Sequence, residues 1–152
     1  MKKPKQTLAL FYCQNTPDSG EQARQDLEER YGGRLKLFPL PCSGRLEPLH
    51  LLRALEEFAD AVYVITCPEG ACRYFEGNLR ARKRVEVAAR AVSGIELEAE
   101  RVGIVVNSKD QLKSLAVLAA EIMARIKPLS ASPVLGALKS KTRKEETHHD
   151  YR

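Results

Sequence analysis

The chain has 152 residues, four of them cysteine, with 43% hydrophobic and 30% charged residues and a formal net charge of +5. That length suits one domain with a substantial core, and no apolar run approaches the roughly 20 residues that span a bilayer. So modest a charge, with no recognition motif beside it, argues against a nucleic-acid partner.

The opening "MKKPKQTLALFYC" is basic, but its apolar stretch is short and lacks a small-residue cleavage site. It reads as a first strand rather than a signal peptide, and on that reading the protein is expected in the cytoplasm. "SGEQARQDLEERYGG" reads as a helix. Ser19 and Gln22 have capping-box spacing, Ala23, Leu27 and Tyr31 repeat on one face, and Gly32 and Gly33 stop it. "RLKLFPLPC" is a second strand, and Pro39 assigns it to a sheet edge. "EPLHLLRALEEFAD" is a helix with Pro48 in its first turn and Leu52, Leu55 and Phe58 or Ala59 toward the core.

"AVYVITC" is a third strand, apolar enough to be covered on both faces. "RARKRVEVAARAVSG" is a helix with Ala81, Val85, Ala88, Ala89 and Val92 at core spacing, ended by Gly94. "RVGIVVNS" is a fourth strand. "SKDQLKSLAVLAAEIMARIKP" is the last long helix, with Ser108 and Gln111 again at capping-box spacing and Pro128 closing it. The alternation predicts an α/β fold: a flavodoxin-like parallel sheet of about four strands, order 2-1-3-4, with helices on both faces. One domain is expected over residues 1–138. The tail Lys139–Arg152 mixes charges without apolar periodicity and is expected to be disordered. His148 and His149 in it are poor candidates for a preformed site.

In such sheets ligands bind beyond the carboxyl ends of the strands. Cys13, Cys42 and Cys67 each fall at or just past such an end, and Cys72 follows Cys67 by five residues. A reducing cytoplasm points four cysteines toward metal or redox chemistry rather than disulfides. An isolated cysteine is usually a small buried hydrophobe; four at one sheet edge form a full ligand set for zinc or an iron–sulfur cluster. "CPEGAC" has the four-residue gap that opens the plant-type two-iron ferredoxin pattern. Structural zinc favours paired knuckles, whereas Cys13 and Cys42 stand alone, so a zinc-stabilised or cluster-free interaction module is the alternative. A nucleophilic cysteine lacks a partner, because His50 within "PLHLL" is on a helix where packing or exposure is the commoner role. The loop "CQNTPDSG" lacks the hydroxyl-rich pattern that would cradle the phosphate of a flavin mononucleotide.

The stretch from Cys42 to Glu86 carries a recognisable arrangement. It runs Cys42, Ser43-Gly44-Arg45, Glu47-Pro48, a helix and a strand, then Cys67, four residues, Cys72, and Gly77-Asn78 followed by a basic helix with Arg80 and Arg84. This resembles the iron–sulfur delta subunit of methyl-viologen-reducing hydrogenase. The resemblance implies a flavodoxin-like fold and a [2Fe-2S] cluster on Cys13, Cys42, Cys67 and Cys72. It implies electron transfer from a hydrogenase or other dehydrogenase to a heterodisulfide-reductase-like flavoprotein subunit, or the reverse, with no substrate site on this chain. Thr16 stands where that family usually has the second cysteine of an N-terminal Cys-x-x-Cys. Pro68 and Arg73 replace common histidines around the loop, which would tune a cluster through its surroundings.

Arg73, Arg80, Arg82, Lys83 and Arg84 form a basic run just after the cysteine loop. A solvated helix face is the plainer reading. The sharper expectation assigns Arg73, Arg80 and Arg84 to docking of an acidic redox partner or a flavin phosphate.

Overall fold

The computed structural model describes residues 6–41, 46–68, 77–94, 97–129 and 132. In chain order they form β1 (Leu8–Cys13), α1 (Glu21–Arg30), β2 (Leu35–Leu40), α2 (Pro48–Glu57), β3 (Ala61–Thr66), α3 (Gly77–Gly94), β4 (Val102–Val106) and α4 (Leu115–Ile126). One turn of 3-10 helix, Ala99–Arg101, leads into β4. Cys42, Cys72, Arg73 and the tail from Lys139 lie outside the described residues.

All three strand pairings are parallel, and the order is β2-β1-β3-β4, as the alternation predicts. The chain steps one way from β1 to β2, then back across β1 to β3 and on to β4. Right-handed crossovers therefore put α1 on one face and α2 and α3 on the other. One core joins Leu8, Leu10, Tyr12, Tyr63 and Ile65 to Leu27 of α1 and Leu115, Leu118 and Ile122 of α4. The other joins Ala9, Val62 and Val64 to Leu51 and Leu55 of α2 and Val85, Ala88 and Val92 of α3. Covered on both faces, β3 is buried at every residue.

β2 is an edge strand and accommodates Pro39, whose missing N–H costs nothing on an outer side. Phe11 and Phe38, partners in the β1–β2 register, stack with ring centroids 4.9 Å apart. Gly32 and Gly33 have φ of 55° and 84°, the left-handed geometry that ends α1.

Three local expectations change. α1 is capped by Gly20 rather than by a Ser19–Gln22 box, because the Ser19 hydroxyl donates to Thr16 O at 2.6 Å inside the β1–α1 loop. α4 starts at Leu115, not after Ser108. Asn107, buried behind β4, accepts from the N–H groups of Ser108 and Lys113 and donates to Lys113 O, closing residues 107–113 into a loop. Ser108 Oγ still accepts from Gln111 N–H, as its spacing predicts, but the helix cap is Ser114, accepting from Val117 N–H. In α2 the buried face runs through Leu51, Ala54 and Leu55, with Leu52 half-buried.

Candidate functional site

Cys13 is the last residue of β1, and Cys67 is the first beyond β3. These strands are parallel neighbours, so both thiols arrive at the carboxyl edge side by side. Their sulfurs are 3.3 Å apart, and both residues are buried, at 2% and 8% exposure. The gap is well beyond the ~2.05 Å of a disulfide bond. Two sulfurs on one tetrahedral metal, with bonds of ~2.3 Å, stand about 3.8 Å apart. The pair thus needs an opening of only about half an ångström to share one metal ion.

The loops around the pair are tied to one another. Thr16 donates to Cys13 O through both its N–H, at 2.9 Å, and its hydroxyl, at 2.7 Å. Thr16 is therefore the residue that folds the turn beneath Cys13. Gln14 N–H donates to Leu40 O, so the chain leaving β1 is anchored to the end of β2. Leu40 is the register partner of Cys13, and Cys42 follows it by two residues in the chain. Thr66 Oγ1 donates to Cys67 O at 3.1 Å, and Asn107 N–H donates to Thr66 O at 3.1 Å. Leu115 N–H, in the first turn of α4, donates to Pro17 O at 2.9 Å. The exits of β1, β3 and β4 are thus linked by hydrogen bonds around the two sulfurs.

Among the described residues, no group of three or more His, Cys, Asp or Glu is placed to hold a metal ion. The other two expected ligands, Cys42 and Cys72, are outside them. The part of the donor set that is described fits a thiolate-ligated metal: two adjacent sulfurs, shielded from solvent, on a rigid sheet edge.

The two described arginines of the expected docking set differ. Arg80 is exposed on the first turn of α3. Arg84, one turn on, points inward: its Nη1 donates to Leu46 O at 2.7 Å and lies 3.6 Å from the Glu47 carboxylate. It pins the start of α2 to α3. His50 is an exposed helix-start residue whose Nδ1 accepts from Glu47 N–H at 3.1 Å, so it serves the α2 terminus.

Beside the site, burial raises the Tyr12 phenol above its ordinary pKa, with Arg24 partly offsetting the effect. Tyr12 lies on the α1/α4 side of the sheet. Asn107 and Thr66 do not stand out as site residues in the sequence. Their only signal there is that a polar residue closes each of the apolar runs "VYVIT" and "VGIVVN", and strand ends are commonly polar.

A family model described as the delta subunit of methyl-viologen-reducing hydrogenase matches residues 8–130, from the first residue of β1 to beyond α4. The chain belongs to this delta-subunit family. The matched span contains all four cysteines and both described arginines. Among curated relatives, the F420-non-reducing hydrogenase vhu iron-sulfur subunit of Methanocaldococcus jannaschii is 29% identical over 69% of this chain and 78% of its own length. The F420-non-reducing hydrogenase iron-sulfur subunit of Archaeoglobus profundus is 34% identical over 68% of this chain and 75% of its own. The delta-subunit chain is also 33% identical over 73 residues to one subunit of the ferredoxin/F420H2-dependent CoB-CoM heterodisulfide reductase of Methanosarcina acetivorans; those residues are 48% of this chain and 9% of that protein. The match thus covers a short part of a much longer reductase chain. Among the described residues no helix is long and apolar enough to cross a membrane.

Proposed function

We propose that this delta-subunit chain is a cytoplasmic electron-transfer subunit, with one [2Fe-2S] cluster held by Cys13, Cys42, Cys67 and Cys72. The carrying observation is the Cys13–Cys67 pair, two buried sulfurs 3.3 Å apart at the carboxyl edge. Family membership and the iron–sulfur naming of the hydrogenase relatives support the identity of the metal group. The two redox partners are proposed as a subunit of a hydrogenase or other dehydrogenase and a heterodisulfide-reductase-like flavoprotein subunit. The likeness to part of a heterodisulfide reductase chain supports the second of these.

When bound, such a cluster accepts and releases one electron at a time. The chain's own part is positional. β1 and β3 hold Cys13 and Cys67 at a fixed separation, and Thr16 and Asn107 brace the loops that leave them. Burial excludes water from the sulfurs, which lowers the dielectric around them and favours a fixed geometry over ligand exchange. Arg80, exposed beside this edge, is proposed to steer an acidic partner.

Anaerobic purification followed by iron, sulfide and zinc analysis tests the reading. The expected result is about two irons and two sulfides per chain, as a cluster of this type contains. Cys67→Ser should remove most of both, while Arg90→Ala, exposed in the second half of α3, should leave them. Zinc near one equivalent without sulfide would instead establish the zinc-stabilised module.

A further inference from the structure

Five large apolar side chains among the described residues are strongly exposed: Leu49 at 54%, Leu79 at 48%, Val87 at 50%, Leu112 at 58% and Val117 at 46%. Single exposed hydrophobes need no explanation, but the distribution of these five is uneven. In a parallel sheet every following helix starts where its strand ends, at the carboxyl edge. Leu49 is the second residue of α2, Leu79 the third of α3 and Val117 the third of α4, and Leu112 is in the β4–α4 loop. Four of the five therefore rim the edge that carries Cys13 and Cys67. Only Val87 sits mid-helix.

Hydrogen bonds tie down parts of the rim. Leu115 N–H to Pro17 O and Asn107 N–H to Thr66 O fix the Leu112–Val117 side to the cysteine loops. Arg84 to Leu46 O fixes the Leu49 side to α3. A pre-ordered apolar rim loses little entropy on association. Its basic part is at the start of α3, where Arg80 and Lys83 are exposed ahead of the first acid of the helix, Glu86, while Arg84 turns to Glu47; the β4–α4 loop beside Leu112 carries both signs, Asp110 with Lys109 and Lys113.

We propose that Leu49, Leu79, Leu112 and Val117 form a docking rim for one protein partner. Its contact surface is apolar where it meets the rim and acidic where it meets α3. That partner is the heterodisulfide-reductase-like flavoprotein. This rests on the electron-carrier reading above, and on the match to a short part of a heterodisulfide reductase chain. A contact around the sulfurs would also bring the partner within short range of the metal group.

Binding of the anaerobically purified full chain to the cognate heterodisulfide-reductase-like flavoprotein, by titration calorimetry, tests it. The pairs Leu49→Gln with Leu79→Gln, and Leu112→Gln with Val117→Gln, should each raise Kd about tenfold or more, as central apolar contacts do. Val87→Gln, equally exposed but off the rim, should stay within about twofold of wild type, as near-neutral surface positions do. Urea midpoints matching wild type would show that all variants are folded. Wild-type affinity in both rim pairs, equal weakening by Val87→Gln, or no binding by the wild-type chain would each overturn the docking surface. The metal analysis separates this from the parent reading. A chain without iron and sulfide that still needs the rim to bind keeps the docking surface and loses the electron carrier. A cluster-bearing chain indifferent to the rim does the reverse.

Discussion

Gly103 of β4 lies so close to the ring of its register partner Tyr63 that a Cβ on it would stand 2.7 Å from Cζ and closer still to Cε2. The ring cannot yield easily. Its hydroxyl donates to Glu100 O at 2.8 Å, and Arg125 of α4 sits 5.9 Å from its centroid. Gly103→Ala should therefore destabilise the fold by about 1–3 kcal/mol, the usual cost of overpacking. Urea denaturation should show a midpoint lower by on the order of 1 M. An unchanged midpoint would mean that Tyr63 has room to swing away.

Alkaline stability should depend on the same ring. Burial raises the Tyr63 phenol above its ordinary value of 10.0, against a smaller opposing effect of Arg125, and burial raises Tyr12 likewise. A raised folded-state pKa keeps the proton on in the native state after the unfolded chain has lost it. Stability is thus fully present below pH 10 and is lost as pH climbs from 10 through the folded-state values. Tyr63→Phe removes one of the two titrations, so its stability should fall less steeply above pH 10. At neutral pH it should lose about 1 kcal/mol with the hydrogen bond to Glu100 O. Parallel pH profiles for variant and wild type would contradict this.

At the opposite, amino edge, Asp60 closes the fold. Its carboxylate accepts from Thr7 N–H and Ser132 N–H, each at 2.8 Å, and its carbonyl accepts from fully buried Arg101 at 2.9 Å. Asp60→Ala strands two backbone donors and should cost about 2–4 kcal/mol. Asp60→Asn keeps one acceptor oxygen and should lose roughly half as much. Equal midpoints for the two variants would show that water replaces the carboxylate.

Arg80 and Arg84 should separate by assay. Arg84→Ala removes the hydrogen bond to Leu46 O and should lower stability by about 1–2 kcal/mol. Arg80→Ala should leave stability within about 0.5 kcal/mol. In stopped-flow association with the cognate heterodisulfide-reductase-like flavoprotein, Arg80→Glu should slow binding at low salt and flatten its salt dependence. An unaltered association rate would return Arg80 to the status of a solvated side chain.

Much of the architecture is legible without coordinates. Short apolar runs alternate with amphipathic segments, and that pattern admits little besides a parallel sheet between helical layers. The run "AVYVIT" announces a strand buried on both faces, and Pro39 announces an edge, because each follows from local chemistry alone. The helix starts of α1 and α4 do not. Ser19 and Ser108 both have capping spacing, but the Thr16 carbonyl, three residues before Ser19 in the β1–α1 loop, and the Asn107 side chain, whose backbone is tied to Thr66 O at the end of β3, decide where each helix begins. Arg84 likewise reads as a surface charge until the α2 start is packed beside it. Most of all, nothing local relates Cys13 to Cys67. They stand 54 positions apart in the chain, and their sulfurs meet only because β3 pairs with β1 and both strands end at the same height. Sequence chemistry chose the donor atoms; strand order, a property of the whole sheet, brought two of them to 3.3 Å.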